Sequence, residues 1–379
     1  MALPPPQPPE DPPRPPRRRD AARHLLHPRV MQDSLTLAKQ PSLRPSALAG
    51  LQAALVAAIA LPLVHLSPWS HLIGYAALGA LVALFGRFAA PKRRNRIVFF
   101  AGLTQTGAVL IMGLASWLGL PTAGQMVLLS VLCGLFYFTA VSGRWGPPGA
   151  MIFVFAAGAA MTPAAALGEV LERVAAVAVV SALSWMICAV TEGWRHRPER
   201  DPALPVEPLI PLRGRLIRGG RIIGGAAIAL FVGRALGAEH PSWAALGAMA
   251  VMQGAHLHLS MNRALQRMAG TVVGALLAWA ILSLEPSVWT LIALICVMQY
   301  ITEIVIGANY ALGQIFVTPM ALLMSYLAAQ GALDASMAGE RVTDTLLGAL
   351  IGITVAVVLS TWDDRDHLAR HHAERTGAG

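Results

Sequence analysis

Two short stretches carry charges that an otherwise apolar chain has reason to avoid. Glu340-Arg341-Val342, followed by Asp344, opens one long apolar run, and Glu172-Arg173-Val174 opens another 168 positions earlier. An ionisable side chain costs about 2.5–3.5 kcal/mol at the bilayer centre and less toward the interface, so each needs a partner or a task. Arg341 and Asp344 are three residues apart and share a helix face. Glu169 stands four residues before Arg173. Two readings stay open. Local ion pairs would pin the helix ends, or Arg173 and Arg341 would face a central path as symmetry-related guanidinium groups. In the second case each planar fork can hold both oxygens of a carboxylate. Glu303, in QYITEIVIG, is a candidate proton carrier, a role open to a carboxyl taken out of water. Arg87 and Arg234 lie close to helix ends and read as snorkelling to the interface.

The elements that must position these residues are membrane helices. Of the 379 residues, 55% are hydrophobic and 13% charged, where soluble domains carry about 25% charge. The apolar runs are near the length of about 20 residues that crosses roughly 30 Å of hydrocarbon. Spans are expected near 47–66, 71–90, 97–119, 123–142, 147–162 and 170–190, then near 219–237, 241–259, 266–283, 287–307, 309–329 and 340–361. The fold class is therefore all-α integral membrane, with about twelve transmembrane helices as two parallel six-helix repeats. Its parts are a Pro/Arg-rich, disordered cytoplasmic tail (1–46), a first repeat (47–190), a cytoplasmic linker (191–218), a second repeat (219–361) and a cytoplasmic tail (362–379).

The repeat rests on matches at one offset. YAALGAL at 75–81 meets WAALGAM at 243–249, Ala101-Gly102 meets Ala269-Gly270, and the two Glu-Arg-Val triplets meet each other. Gly79 and Gly247 fall inside the first match as packing residues. Gly220/Gly224, Gly270/Gly274 and Gly348/Gly352 have the small-xxx-small spacing that lets membrane helices approach closely. Charge sets the orientation. Every Lys and Arg except Arg173, Arg234 and Arg341 falls in a segment, or at a helix end, that is cytoplasmic when the N-terminus is inside and each half has six spans. The positive-inside rule then places both termini in the cytoplasm.

Several functions are excluded. The net charge of +9 lies between apolar runs rather than in a nucleic-acid-binding patch. Cys133, Cys188 and Cys296 show no metal or redox spacing. GxxxxGK[ST], HExxH and GxSxG are absent. No enzyme activity, metal or cofactor is expected.

RMAGTVVG (267–274), NYALGQIFVTPMALLM (309–324) and ERVTDTLLG (340–348) together resemble the fusaric acid resistance-like (FUSC) family. That family includes bacterial aromatic carboxylic acid exporters, and plant aluminium-activated malate channels look like more distant relatives. The resemblance covers roughly 45–362. It implies a bacterial inner-membrane protein exporting small organic anions, aromatic carboxylic acids foremost, with protons as the coupling ion. The carried positions are Arg267, Gly270, Thr271 and Gly274, then Tyr310 and Thr318, then Arg341, Asp344 and Gly348. With Arg173, Glu172 and Glu303, the non-glycine members of this set make the expected transport path, while the glycines are expected to pack helices. Two departures matter: only a short polar linker joins the halves, and Phe99 stands where the second half has Arg267. A passive organic-anion channel and a non-transporting membrane scaffold are the alternatives. Expected partners are the lipid bilayer, the anion and protons, with a second copy or an accessory membrane protein as further candidates.

Overall fold

The computed structural model describes residue 19 and residues 43–195, 209–254, 257–329, 337–361, 364–365 and 368. Most of the expected N-terminal tail, the centre of the linker and most of the C-terminal tail lie outside the described residues. Within them all regular structure is helical: α1 (Leu43–His65), α2 (Ile73–Ala80), α3 (Pro91–Trp117), α4 (Thr122–Ser142), α5 (Met151–Ala159), α6 (Leu167–Val190), α7 (Leu212–Ala235), α8 (Ser242–Met252), α9 (Leu257–Leu282), α10 (Val288–Val305), α11 (Tyr310–Ala328) and α12 (Met337–Val358).

Local chemistry sets the ends. Pro91 opens α3 at a position that needs no N–H donor. Ser287 caps α10, its Oγ accepting from the Thr290 N–H at 3.2 Å, and Asn309 caps α11, its Oδ1 accepting from Ala311 N–H at 2.8 Å. Gly119 and Gly237 end α3 and α7 with φ of +73° and +94°, a left-handed turn that a Cβ would oppose.

Among the described residues, nine helices are long and apolar enough to cross a membrane. Many side chains in the middle of these helices point outward and are still apolar, among them Leu55, Leu135, Leu276 and Val179, the last 68% exposed. A helix that is apolar all round, outer face included, belongs in hydrocarbon. The chain is a membrane protein with multiple apolar helices.

The three exceptions depart from the expected spans. The run at 71–90 folds as α2 between the 3₁₀ turns Ser70–Leu72 and Leu81–Leu84. The runs at 147–162 and 241–259 yield only α5 and α8. At 1.5 Å per residue these three helices rise only about 12–17 Å. Pro147 and Pro148, flanked by Gly146 and Gly149 at positive φ, delay α5, and Pro163 follows its end. Every residue of α2 and of α8 is buried. Helices wrapped in protein do not need the length that lipid contact demands.

Successive helices run up and down. At the upper end His65 meets Trp289 edge-on and Tyr75 Oη donates to Ala159 O at 3.1 Å. At the lower end Arg44 Nε donates to Trp194 O at 3.1 Å. Helix pairing follows one pattern in both halves of the chain. α2 packs on α6 and α8 on α12, while α1 packs on α10 and α7 on α4. A methyl group placed on Gly79 would lie 2.8 Å from Val180 Cβ, 3.0 Å from Val177 O and 3.1 Å from Ser181 N. On Gly247 it would lie 3.2 Å from Gly348 Cα, 2.9 Å from Thr345 O and 3.3 Å from Ala349 N. Each contact in the second set is 168 positions after its counterpart in the first.

Candidate functional site

The four short or central elements α2, α5, α8 and α11 enclose two cavities, one above the other. The lower chamber, about 110 Å³, is lined by Arg267, Arg341, Glu303, Gln299, Thr302 and Gln314 among the side chains of Leu81, Ile152, Phe155, Leu246, Met320 and Met324. The upper vestibule, about 460 Å³, is lined by His71, Tyr75, Arg173, His240 and Trp243 together with Phe155, Met324 and the ends of α5 and α11.

The chamber holds two guanidinium groups. Arg267 projects from α9 and is 3% exposed. Its Nη1 donates to Tyr310 Oη at 3.1 Å and to Gln314 Oε1 at 3.5 Å, while its Nε has no acceptor among the described residues. Arg341 projects from α12 and is 4% exposed. It lies over the Trp243 ring at 5.1 Å, and neither its Nε nor its Nη1 meets an acceptor among the described residues. Asp344 is buried nearby, yet the two do not pair, and its Oδ2 has no donor among the described residues. Buried polar groups are nearly always satisfied. Two desolvated cations with spare donors on one chamber form a site that favours an anion.

The chamber's acid is already engaged. Glu303, 4% exposed, forms an ion pair with Arg87, 6% exposed, from the loop after α2. That corrects the reading of Arg87 as a snorkelling side chain. A loop residue behind Gly86, which turns at φ +67°, is carried inward to meet α10.

Arg173 does not reach the chamber. It lies over the Tyr75 ring at 5.7 Å, and its Nη1 and Nη2 donate to Thr162 O at 3.0 Å and Pro163 O at 3.1 Å. Glu169 Oε2 is 3.7 Å away. Both Arg–aromatic pairs therefore occupy matching positions of the two halves, but of the two arginines only Arg341 has buried donors without an acceptor among the described residues. Glu172 pairs with His71 at 3.1 Å, and Glu340 with His240 Nδ1 at 2.9 Å. The bond to Glu340 holds the His240 pKa above the usual imidazole value, against the opposing effect of burial. Glu239, His240 and Glu340 also bring potential ligand atoms within 4.8 Å of one another.

Of the other expected path residues, Tyr310 holds Arg267 from behind. Thr271 and Thr318 are buried but line neither cavity, and Thr318 Oγ1 has no partner. Gly270 and Gly274 pack on α11, and Gly348 and Gly352 on α8. Added methyl groups at Gly274 and Gly352 would lie 2.9 Å from Thr318 Cβ and 2.7 Å from Ala248 O. At Gly270 and Gly348 they would press on the carbonyls of Ala311 and Ala244. Sequence reasoning missed Gln299, Thr302 and Gln314. A signal for the first two was present, because Gln299, Thr302 and Glu303 are at i, i+3 and i+4 on one helix face.

Comparison with known proteins places the chamber in context. Residues 228–355 match the family model described as fusaric acid resistance protein-like, and all three resembling motifs lie inside that segment. The chain is also 36% identical over 125 residues to the uncharacterized membrane protein YvaC of Bacillus subtilis (strain 168). That match covers 33% of this chain and 20% of the relative, so the chain spans about a fifth of the length of the curated relative it matches. No solved structure matches.

Proposed function

We propose that the protein is a secondary transporter that moves small organic anions, aromatic carboxylates foremost, out of a bacterial cell. The observation that carries this reading is the lower chamber. Arg267 and Arg341 are both buried, both have N–H groups without acceptors among the described residues, and both share the space with an apolar wall. A carboxylate would supply the missing acceptors, and an apolar body would fit the Leu, Ile, Phe and Met surface. A ligand with neither property would leave the donors unpaired, at a cost of about 1–3 kcal/mol each.

In this reading Arg267 and Arg341 hold the carboxylate, and Asp344 or Glu303 exchanges protons. Arg173 marks the exit mouth. The lower end faces the cytoplasm, as the distribution of Lys and Arg supports, with both termini there and the bacterial inner membrane as the site. Twelve spans in two parallel repeats accommodate α2, α5 and α8 as short spans shielded by protein. The contacts repeated at the 168-residue spacing support that duplication.

The test is uptake in proteoliposomes with labelled aromatic and aliphatic carboxylates, with and without a pH gradient. Uphill accumulation that a protonophore abolishes is the expected result. Arg341→Ala and Arg267→Gln are each expected to lower accumulation at least ~10-fold, the equivalent of one charge-assisted bond. Normal accumulation by Arg341→Ala would end its assigned role. Movement only down the electrochemical gradient would make the protein a channel.

A further inference from the structure

The two cavities meet at a single level. Four elements contribute to both, each with residues about one turn apart. On α2 and the 3₁₀ turn that continues it, Leu78 faces the vestibule and Leu81 the chamber, and on α8 Trp243 and Leu246 do the same. Three residues of helix correspond to about 4.5 Å of rise. On α5 and α11 the side chain between the two levels is shared. Among the described residues, Phe155 and Met324 alone line both cavities. One comes from the fifth helix of the first half and the other from the fifth helix of the second.

We propose that Phe155 and Met324 form an apolar septum that closes the Arg-lined chamber to the vestibule and gates passage between them. The proposal rests on the transport reading for its purpose but not for its geometry. An apolar constriction excludes water, and with it hydrated ions and protons, without any charged lock. A septum is needed here because the cations beneath it are desolvated, and continuous water would weaken their attraction for an anion. The two side chains suit a gate that opens. Phe155 lies midway along α5, a helix of only nine residues, and the unbranched thioether of Met324 repacks with little cost. A ligand with an apolar body can replace the septum's own contacts as it passes, whereas a small hydrated anion cannot.

The test is thiol accessibility in a cysteine-free background (Cys133→Ala, Cys188→Ser, Cys296→Ala). Val317→Cys puts a reporter in the chamber, and Ser325→Cys puts one in the vestibule. A membrane-impermeant, negatively charged methanethiosulfonate is applied from the vestibule side. The position-325 reporter is expected to react quickly in every variant. The position-317 reporter is expected to react slowly with the septum intact and at least ~10-fold faster with Phe155→Ala or Met324→Ala, as a dewetted constriction that is opened should. Phe155→Trp should keep it slow. If one alanine variant fails to fold, the other carries the test. Equal rates at 317 and 325 with the septum intact, or no acceleration by either alanine, would overturn the proposal. Gated labelling without anion uptake by any variant would leave the septum standing and remove the transport reading.

Discussion

At the scale of single residues, the buried cations in and beside the chamber differ in whether they have a carboxylate. Arg87 has Glu303, and both are buried. Arg267 and Arg341 have no such partner among the described residues. Removing one member of a buried ion pair strands the other, at about 3–5 kcal/mol, whereas replacing both with apolar groups is often neutral. Arg87→Met is therefore expected to lower unfolding stability by that amount, and Arg87→Met with Glu303→Leu to restore most of it. An additive double mutant would mean the pair is not coupled. His240 carries a different signature. Its folded pKa is raised, chiefly by its bond to Glu340, so the protonated ring is the stabilising form. The contribution is complete below the unfolded value of about 6.5 and disappears as pH rises through the higher folded value. The melting temperature of the native chain should exceed that of His240→Gln near pH 6, with the gap closing at alkaline pH. A gap independent of pH would show that proton binding at His240 contributes nothing.

At the scale of elements, close approach of backbones decides which glycines matter. Lipid gives apolar helices little reason to associate, so packing at small residues has to hold them together. α12 lies on α8 at Gly247, Gly348 and Gly352, and α2 lies on α6 at Gly79. By contrast, a methyl group on Gly220 or Gly224 would meet nothing within 4 Å. Gly348→Ala and Gly79→Ala are expected to cost about 1–3 kcal/mol each through overpacking. Gly220→Ala should be neutral or slightly stabilising, since alanine is the better helix former. Thermal unfolding of the purified variants distinguishes them, and equal shifts at all three positions would contradict the packing account.

At the scale of the whole molecule, the halves exchange their first helices. α1 packs on α10 and α7 on α4, so each half's first helix covers the other half's fourth. The central cavities likewise draw on the second and fifth helices of both halves. Neither half therefore has a complete interior. A chain split between 203 and 204 should yield fragments that are protease-sensitive when made alone and that copurify when made together. A first fragment that resists protease by itself would show that the crossed packing is dispensable.

Much of this was legible in sequence because membrane insertion is a local constraint. Twenty apolar residues must bury their own backbone polar groups, so length and hydropathy reveal α1, α3, α4, α6, α7 and α9 through α12 without reference to neighbours. The cost of a charge in hydrocarbon likewise singled out Arg341, Asp344 and Glu303, and the motif resemblance added Arg267. Hydropathy does not say whether an apolar run faces lipid or protein, so the shortness of α2 and α8 was hidden. Neither could it show that Arg87 meets Glu303, 216 positions away, or that Arg173 and Arg341 serve different cavities despite occupying matching places in the two halves. Partners distant in the chain are chosen by packing, and packing exists only once the helices have come together.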